Sequence, residues 1–173
     1  MSQPTLLQPS ARDAHPGSGA AVSPTLTFVI GTQEYGLSVA HVLEIVPIPA
    51  MLRLVGRPAY LVGVLNRRGH HLPVLDGRIL VGEPVRYDLS RYIIIVGRTA
   101  DNMEQVIAPF GLLVDLVCDV RVFEPESLTL VSKGAGAAFL WGIARWTDRS
   151  VLLLGFEELL ALASAISMDV APA

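Results

Sequence analysis

Short stretches in which hydrophobic and polar residues alternate make up most of the chain between residues 25 and 154. Such alternation places every second side chain on one face of a β-strand. Glycine and proline separate the stretches at short intervals, which favours a barrel or sandwich over alternating strand–helix units. We therefore predict about nine short strands. They fall within residues 25–30, 35–37, 39–45, 61–65, 70–76, 92–96, 112–122, 140–146 and 151–154, where the segment 39–45 is expected to be a helical turn leading into a strand and the segment 112–122 a long strand pair.

The alternation that starts at Leu112 is the longest in the chain. Its apolar members are expected on a buried face and its charged members on a solvated face. The apolar set is Leu112, Val114, Leu116, Cys118, Val120 and Val122, and the charged set is Asp115, Asp119 and Arg121. This interpretation packs Cys118 in the core. It also separates Asp115 and Asp119 by about 13 Å at the rise of a strand, too far for a shared proton.

Three other features interrupt the strand pattern. Pro73 lacks a backbone donor, which predicts an edge position or a bulge. Residues 97–105 are polar and predict a loop. Apolar residues recur at helical spacing from Phe156 to Ala163, which predicts one helix near the C-terminus.

The two ends of the chain have no periodic apolar pattern. The first is rich in proline, serine, glycine and alanine, and such a segment buries too little apolar surface to offset its ordering entropy. We predict a disordered tail over residues 1–24, a folded unit over residues 25–166 and a frayed end over residues 167–173.

The composition narrows the class of protein. Hydrophobic residues make up 51% of the chain and charged residues only 17%, below the roughly 25% typical of soluble domains, which suggests an extensive core and an apolar docking face. A net charge of −3 argues against a nucleic-acid partner. No apolar run reaches the roughly 20 residues of a membrane span, and no basic start leads into an apolar stretch. We expect a cytosolic protein without membrane insertion.

No motif for catalysis, cofactors or metals stands out. The chain has no Walker loop and no Gly-x-Ser-x-Gly elbow. His70 and His71 are adjacent in a predicted strand, so they point to opposite faces and are expected to be solvated. One cysteine forms no disulfide within a single chain. We expect no catalytic residue, cofactor or metal ion.

One charge pattern favours a protein partner. Between Ile45 and Leu75 the chain has four arginines and no acidic residue. They are Arg53, Arg57, Arg67 and Arg68. Arginine offers a planar fork to carboxylates and is enriched at interface anchors. The pattern suggests a docking site for an acidic or polar element.

The stretch over residues 63–76 reads Gly-Val-Leu-Asn-Arg-Arg-Gly-His-His-Leu-Pro-Val-Leu-Asp. It resembles the central signature of the CheW-like coupling proteins, roughly Gly-Val-Ile-Asn-Leu-Arg-Gly and then, two residues later, a hydrophobe, Pro-Val, a hydrophobe and Asp. Segments at residues 28–37, 42–45 and 111–117 are similar to the family's other motifs and occur in its order. The resemblance covers about residues 25–162.

The resemblance implies a fold and a role. The fold is a mostly β protein, with two packed five-stranded SH3-like barrels, short helices and a C-terminal helix. The role is that of a non-catalytic adaptor between the regulatory domain of a CheA-type histidine kinase and the cytoplasmic tip of a chemoreceptor, at membrane-bound arrays. Two alternatives remain open: an adaptor of a type IV pilus or surface-sensing pathway, and a small-molecule-binding barrel or enzyme, which a concave polar pocket would favour.

The same resemblance nominates a docking site. The candidate residues are Val42, Glu44, Ile45, Gly63, Val64, Asn66, Arg67, Arg68 and Gly69. By the match, Arg68 and Glu44 are expected to pair, either for docking or only to hold the turn over residues 66–69. The apolar members are expected at the docking surface or in the core.

The chain departs from the family pattern at three positions. Arg67 and Gly77 stand where leucine is usual, and Gly155 stands where aspartate is common.

Overall fold

The computed structural model describes residues 23–52, 55–85, 90–99, 106–131 and 138–167. Eleven strands and two α-helices lie in these ranges. The strands are β1 Thr25–Ile30, β2 Gln33–Ser38, β3 Val42–Pro47, β4 Leu61–Arg67, β5 His70–Asp76, β6 Tyr92–Thr99, β7 Val106–Val114, β8 Leu116–Arg121, β9 Leu128–Leu130, β10 Leu140–Trp146 and β11 Arg149–Leu154. The helices are α1 Gly77–Leu80 and α2 Phe156–Ser167, with 3-10 turns at Val39–His41 and Pro125–Ser127.

Most of the predicted disordered tail and frayed end, residues 1–22 and 168–173, lies outside the described ranges. Pro24 is described, and its carbonyl accepts a hydrogen bond from the amide of Val39 at 2.9 Å. The backbone is therefore tied to the fold one residue before β1.

The strands form two sheets, and the prediction of a mostly β fold with a C-terminal helix is confirmed. The first sheet has the order β8-β1-β2-β11-β10-β9 and the second the order β3-β6-β7-β5-β4. The first has six strands instead of five because the short β9 pairs with β10. The chain leaves the first sheet after β2 and returns to it at β8, so the two sheets are interwoven.

The edges of the second sheet approach each other. Leu52 lies five residues after the end of β3. It forms an isolated antiparallel bridge with Val64 on β4, the opposite edge strand. Both backbone bonds of the bridge are formed, at 3.1 Å and 2.9 Å. Since sheet closure removes unpaired edges, this bridge curls the five-stranded sheet toward a barrel.

Three apolar clusters hold the fold together. The largest lies between the sheets and under α2, and it includes Phe28, Leu112 and Leu159. Each sheet also has a cluster of its own on its other face, around Val74 and Ile93 in the second sheet and around Val151 in the first. Buried aliphatic and aromatic side chains each contribute about 1.5–3 kcal/mol, so these clusters supply most of the favourable free energy of folding.

The strand β8 does not bury the face that its alternation predicts. Leu116, Val120 and Val122 are each about half exposed, and Cys118 is exposed. The pairing between β1 and β8 shifts register between Leu26 and Phe28. The bulge lies between Val117 and Val120, so it does not explain the exposure of Leu116. The surroundings of the row change already at Asp115, where the chain passes from β7 in the second sheet to β8, an edge strand of the first sheet. The core prediction for this row, and for Cys118, is therefore wrong beyond Val114.

Two local predictions hold only in part. The loop prediction is wrong for residues 97–99, which belong to β6, and residues 100–105 lie outside the described part of the chain. Pro73 belongs to an interior strand, but parallel pairing of β5 with β7 begins only at Val74. The side of Pro73 that lacks a donor therefore has no partner strand, as at an edge.

Two glycines that depart from the family pattern lie where a β-carbon would meet neighbouring atoms. A β-carbon on Gly77 would lie 2.7 Å from the carbonyl oxygen of Leu113 and from the side chain of Ile30. A β-carbon on Gly155 would overlap the carboxylate of Glu158. In this chain the leucine or aspartate found elsewhere would need these neighbours to move.

Candidate functional site

The predicted docking residues lie on β3, on β4 and in the turn that follows β4. β3 and β4 are the two edge strands of the five-stranded sheet. An ion pair between Glu44 on β3 and Arg67 on β4 joins them, beside the bridge at Val64. The site is therefore the seam where the second sheet closes on itself.

Glu44 pairs with Arg67, and the predicted pair between Glu44 and Arg68 is not formed. Arg67 ends β4, whereas Arg68 is the first residue of the turn and has a positive φ of 51°. The left-handed backbone turns the chain away from the strand, so consecutive arginines have different surroundings. Arg67, which stands where the family pattern has leucine, is thus the partner of Glu44.

The turn after β4 presents Arg68 to solvent. Gly69 follows with a φ of 82°, and its amide donates to Oδ1 of Asn66 at 3.2 Å. Two successive residues with positive φ are typical of tight hairpin turns. Arg68 is exposed and, within the described ranges, its guanidinium has no ion-pair or hydrogen-bond partner. It is the charged group of the predicted set that is free to bind another molecule.

The apolar members of the set divide between core and surface. Val42 is half-buried and packs against the main cluster, and Val64 is half-buried beside the bridge. Gly63 is buried, and a β-carbon there would overlap the carbonyl oxygen of Leu52. Ile45 alone is exposed, at 39%. Ile45 is therefore the apolar residue of the set that is accessible to another molecule, whereas Gly63 permits the close approach of Leu52 at the closure of the sheet.

The prediction missed Tyr92, which extends the apolar surface. Tyr92 pairs with Pro47 in the ladder between β3 and β6, two positions from the pair of Ile45 with Ile94. Side chains two positions apart share a face of a sheet, and Tyr92 is 36% exposed. The aromatic at the start of a strongly apolar strand was the available signal.

A glycine-to-alanine change tests the role of position 63. We expect Gly63→Ala to lower the free energy of unfolding by about 1–3 kcal/mol, because the new methyl group collides with backbone. Urea denaturation measures the change. Gly142→Ala is the matched control, since its β-carbon would lie 3.3 Å from the nearest atom and has room after a small shift. Equal losses in both variants would contradict the role of Gly63 in closure.

A buried ion network that the sequence did not reveal lies at the junction of the two sheets. The guanidinium of Arg91 forms ion pairs with two carboxylates, with Asp76 at 3.1 Å from Nη2 and with Asp115 at 3.0 Å from Nε. Arg78 also contacts Asp115, at 2.8 Å and 2.9 Å. The side chains of Arg78, Arg91 and Asp76 are at most 7% exposed. The expected solvated position of Asp115 is therefore wrong.

The network joins elements from both sheets. Asp76 ends β5 and caps α1 through the amide of Arg78, at 2.9 Å. Asp115 is the single residue between β7 in the second sheet and β8 in the first. Its carboxylate accepts a 2.6 Å bond from the amide of Gly31, in the turn between β1 and β2. The signature aspartates and Arg78 thus hold the two halves of the molecule in register.

The surroundings of Asp115 lower the pKa of its carboxyl. Burial by itself raises that pKa, but the hydrogen bonds from Arg78 and the Gly31 amide, with the charge of Arg91, outweigh burial. The hydrogen bond to Asp115 raises the pKa of Arg78, which stays charged. Asp115 is therefore an ionised structural group at neutral pH.

This shift predicts acid sensitivity. The folded pKa of Asp115 lies below the unfolded value of about 3.9, so its stabilising contribution is present above that pH and is lost as the pH falls through the folded pKa. We expect Asp115→Asn to flatten the fall of the unfolding free energy below about pH 4. Urea titrations at several pH values measure the slope. The exposed Asp119→Asn is the control, and equal slopes in the parent and Asp115→Asn would contradict the assignment.

Within the described ranges, the remaining features of interest are those that would indicate a metal site, a reactive cysteine or a membrane-spanning helix. No group of three or more histidine, cysteine, aspartate or glutamate side chains there is arranged to hold a metal ion. Partial burial, followed by the charge of Glu34, raises the pKa of the Cys118 thiol, which disfavours a nucleophilic thiolate. Neither described helix has the length and apolar content of a bilayer-spanning segment. His70 and His71 are exposed, as expected.

Comparison with known proteins agrees with the fold and its signature. A model of the CheW-like domain matches residues 24–164. The chemotaxis protein CheW of Klebsiella aerogenes is 29% identical over 140 residues, 79% of this chain and 80% of that protein. The chemotaxis protein CheW of Helicobacter pylori is 30% identical over 141 residues, 77% of this chain and 78% of that protein.

A solved structure is similar as well. The scaffolding protein TtCheW from Thermoanaerobacter tengcongensis superposes with a TM-score of 0.67 at 25% identity, over 79% of this chain and 90% of that one. The resemblance that the motifs indicated is confirmed. This chain belongs to the family of CheW-like domains.

Proposed function

We propose that this chain is a non-catalytic adaptor that couples a chemoreceptor to a CheA-type histidine kinase in bacterial chemosensory signalling. Membership of the CheW-like family supports the adaptor role, and the names of the relatives place those proteins in chemotaxis. The observation that carries the proposal is the seam between β3 and β4. There Ile45 is exposed on the edge strand β3, and the turn after β4 exposes Arg68, whose guanidinium has no partner among the residues that the structure describes.

The seam suits protein docking. Ile45, Pro47 and Tyr92 offer a small apolar surface on the face of β3 and β6. Arg68 adds an uncommitted guanidinium, and arginine and tyrosine are the residue types enriched at binding hot spots. The ion pair of Glu44 with Arg67 fixes the strand edges, so the surface is formed before a partner arrives. Preformed surfaces lose less conformational entropy on binding.

The adaptor role places the protein in the cytoplasm at membrane-bound receptor arrays. There it holds the regulatory domain of the kinase and the cytoplasmic tip of the receptor by different faces. Control of the kinase follows if the adaptor binds active and inactive arrays with different affinity, because only differential binding shifts such an equilibrium.

The test of the seam is loss of partner affinity without loss of fold. We expect Arg68→Gly to weaken binding to the receptor tip or the kinase regulatory domain about tenfold, since it removes a hot-spot side chain. Glycine adopts the positive φ of this position without strain, so the turn is kept. Isothermal titration calorimetry with each purified partner measures the change.

The control for the loss of an exposed arginine is Arg145→Gln. Glutamine is chosen instead of glycine because Arg145 lies within strand β10, where glycine would weaken the strand. Arg145 is exposed and lies on the other sheet. Its replacement should leave both affinities unchanged. If Arg68→Gly binds both partners as tightly as the parent, Arg68 is not part of the site.

A further inference from the structure

A concave cleft of about 520 Å³ opens on the six-stranded sheet, which does not contain the β3–β4 seam. It is lined by side chains of β1, β2, β8 and β11, including Val29, Glu34, Leu116, Arg121 and Arg149. Its volume falls within the roughly 300–1,000 Å³ of ligand sites, and its lining mixes apolar and charged groups. A site of this kind is able to receive a side chain from another molecule.

An ion pair whose arginine packs against a tryptophan ring lies on one side of the cleft. Nη1 of Arg121 lies 2.7 Å from Oε1 of Glu34, and these side chains are 18% and 10% exposed. The guanidinium of Arg121 also lies over the ring of Trp146, with 5.2 Å from Cζ to the ring centroid. Phe123 contacts the same ring edge-on at 5.8 Å. Arg121 is thus held in place while most of its N–H groups have no bond in the described part of the chain.

The charge of the cleft is positive. Arg149 lines it and is exposed, and within the described ranges its guanidinium has no ion-pair partner. The charged lining residues are two arginines and Glu34, which gives a net charge of +1. Because Glu34 already neutralises one guanidinium, the uncompensated charge belongs to Arg149. A carboxylate is the complementary group, and arginine binds it through two parallel hydrogen bonds.

The rim of the cleft resembles a protein interface more than a closed ligand pocket. Leu116, a lining residue, is 52% exposed, and Trp146, which lies against the lining residue Arg121, is 39% exposed. Tryptophan and arginine are the residue types that contribute most to interface hot spots. An exposed leucine and tryptophan around charged groups fit an apolar rim that excludes water from a central salt bridge.

We propose that this cleft is a second docking surface, which takes a glutamate or aspartate side chain from an extended segment of a protein partner. The carboxylate binds Arg149 and the free N–H groups of Arg121, and neighbouring parts of the segment cover Leu116 and Trp146. The inference rests on the proposed adaptor role at one point, because an adaptor needs a second binding face. The cleft itself is defined without the seam residues.

Nuclear magnetic resonance tests the cleft directly. The probe is a capped peptide of alternating glycine and glutamate, titrated into the full-length ¹⁵N-labelled chain. We expect saturable shifts of the indole N–H of Trp146, with little change at Trp141. The same peptide with glutamine in place of glutamate should give no saturable shift, because it lacks the charge that the arginines bind.

Two matched arginine variants locate the contact. Arg149→Gln should weaken peptide binding at least about fivefold, whereas Arg145→Gln, on the opposite face of the β10–β11 hairpin, should leave it unchanged. Arg68→Gly should also leave it unchanged, which separates failure of this proposal from failure of the seam. Absence of a Trp146 shift, equal binding of the glutamine peptide, or equal effects of the Arg145 and Arg149 variants would overturn the proposal. Tighter binding of free glutarate than of the peptide would also overturn it, in favour of a small-molecule site.

Discussion

Replacing Arg91 by methionine is expected to destabilise the protein by about 3–5 kcal/mol. Arg91 is 4% exposed and is the only group in the described network that contacts both Asp76 and Asp115 through its side chain. Methionine fills a similar volume but leaves Asp76 buried without its cation. An unpaired buried carboxylate costs far more than the net stabilisation from the intact pair. The change in unfolding free energy is measured by urea denaturation.

An exposed ion pair supplies the control for this prediction. Arg98 and Glu157 are 44% and 49% exposed, so solvent screens their interaction. Arg98→Met should therefore change the stability by less than about 1 kcal/mol. Comparable losses of unfolding free energy in the two variants would contradict the claim that the buried network stabilises the protein more than an exposed ion pair does. Combining Arg91→Met with Asp76→Asn should cost less than the sum of the single changes, since the removed partners interact.

Placing aspartate at position 45 is expected to reduce affinity for the partner that docks on the seam by about thirtyfold, or about 2 kcal/mol. Ile45 is exposed on an edge strand, so the substitution is not expected to disturb the core. In a complex, however, the new carboxylate loses water without gaining a cation, and it lies one residue from Glu44. Calorimetry with the kinase regulatory domain and with the receptor tip identifies which partner is affected.

Leu130→Asp is the matched control for the seam. Leu130 is 61% exposed, on the edge strand β9 of the other sheet. It should bind both partners as the parent does and melt at nearly the same temperature as Ile45→Asp. Parent-like affinity of Ile45→Asp for both partners would remove the seam from the docking surface.

The sequence predicts the strands well but their pairing poorly, and β8 shows why. The apolar–polar alternation around Cys118 is present in the sequence, but at Asp115 the chain passes from β7 in the second sheet to β8, an edge strand of the first sheet. Which sheet a strand joins, and whether it lies at an edge, depends on partner strands that are distant in sequence. Periodicity alone therefore places Leu116 and Val120 in a core that they do not reach.

The sequence predicted which segments form the candidate site, but it did not predict which of their side chains contact each other. The motifs identify two adjacent arginines and the glutamate Glu44, and Glu44 does have an arginine partner. Which arginine it is depends on where β4 ends and where the backbone becomes left-handed, at Arg68. Arg91 belongs to no recognised motif, and its role depends on a fold that brings residues 76, 91 and 115 together. No local pattern reports such a long-range cluster.

The measurement that tests the central claim most directly is reconstitution with both partners at once. The purified chain is mixed with the kinase regulatory domain and a soluble receptor tip, and the complex is sized by sedimentation. We expect a three-component complex that Ile45→Asp reduces to two components while the fold is kept. Failure of the parent chain to bind either partner, or competition of the two partners for the same face, would contradict the account.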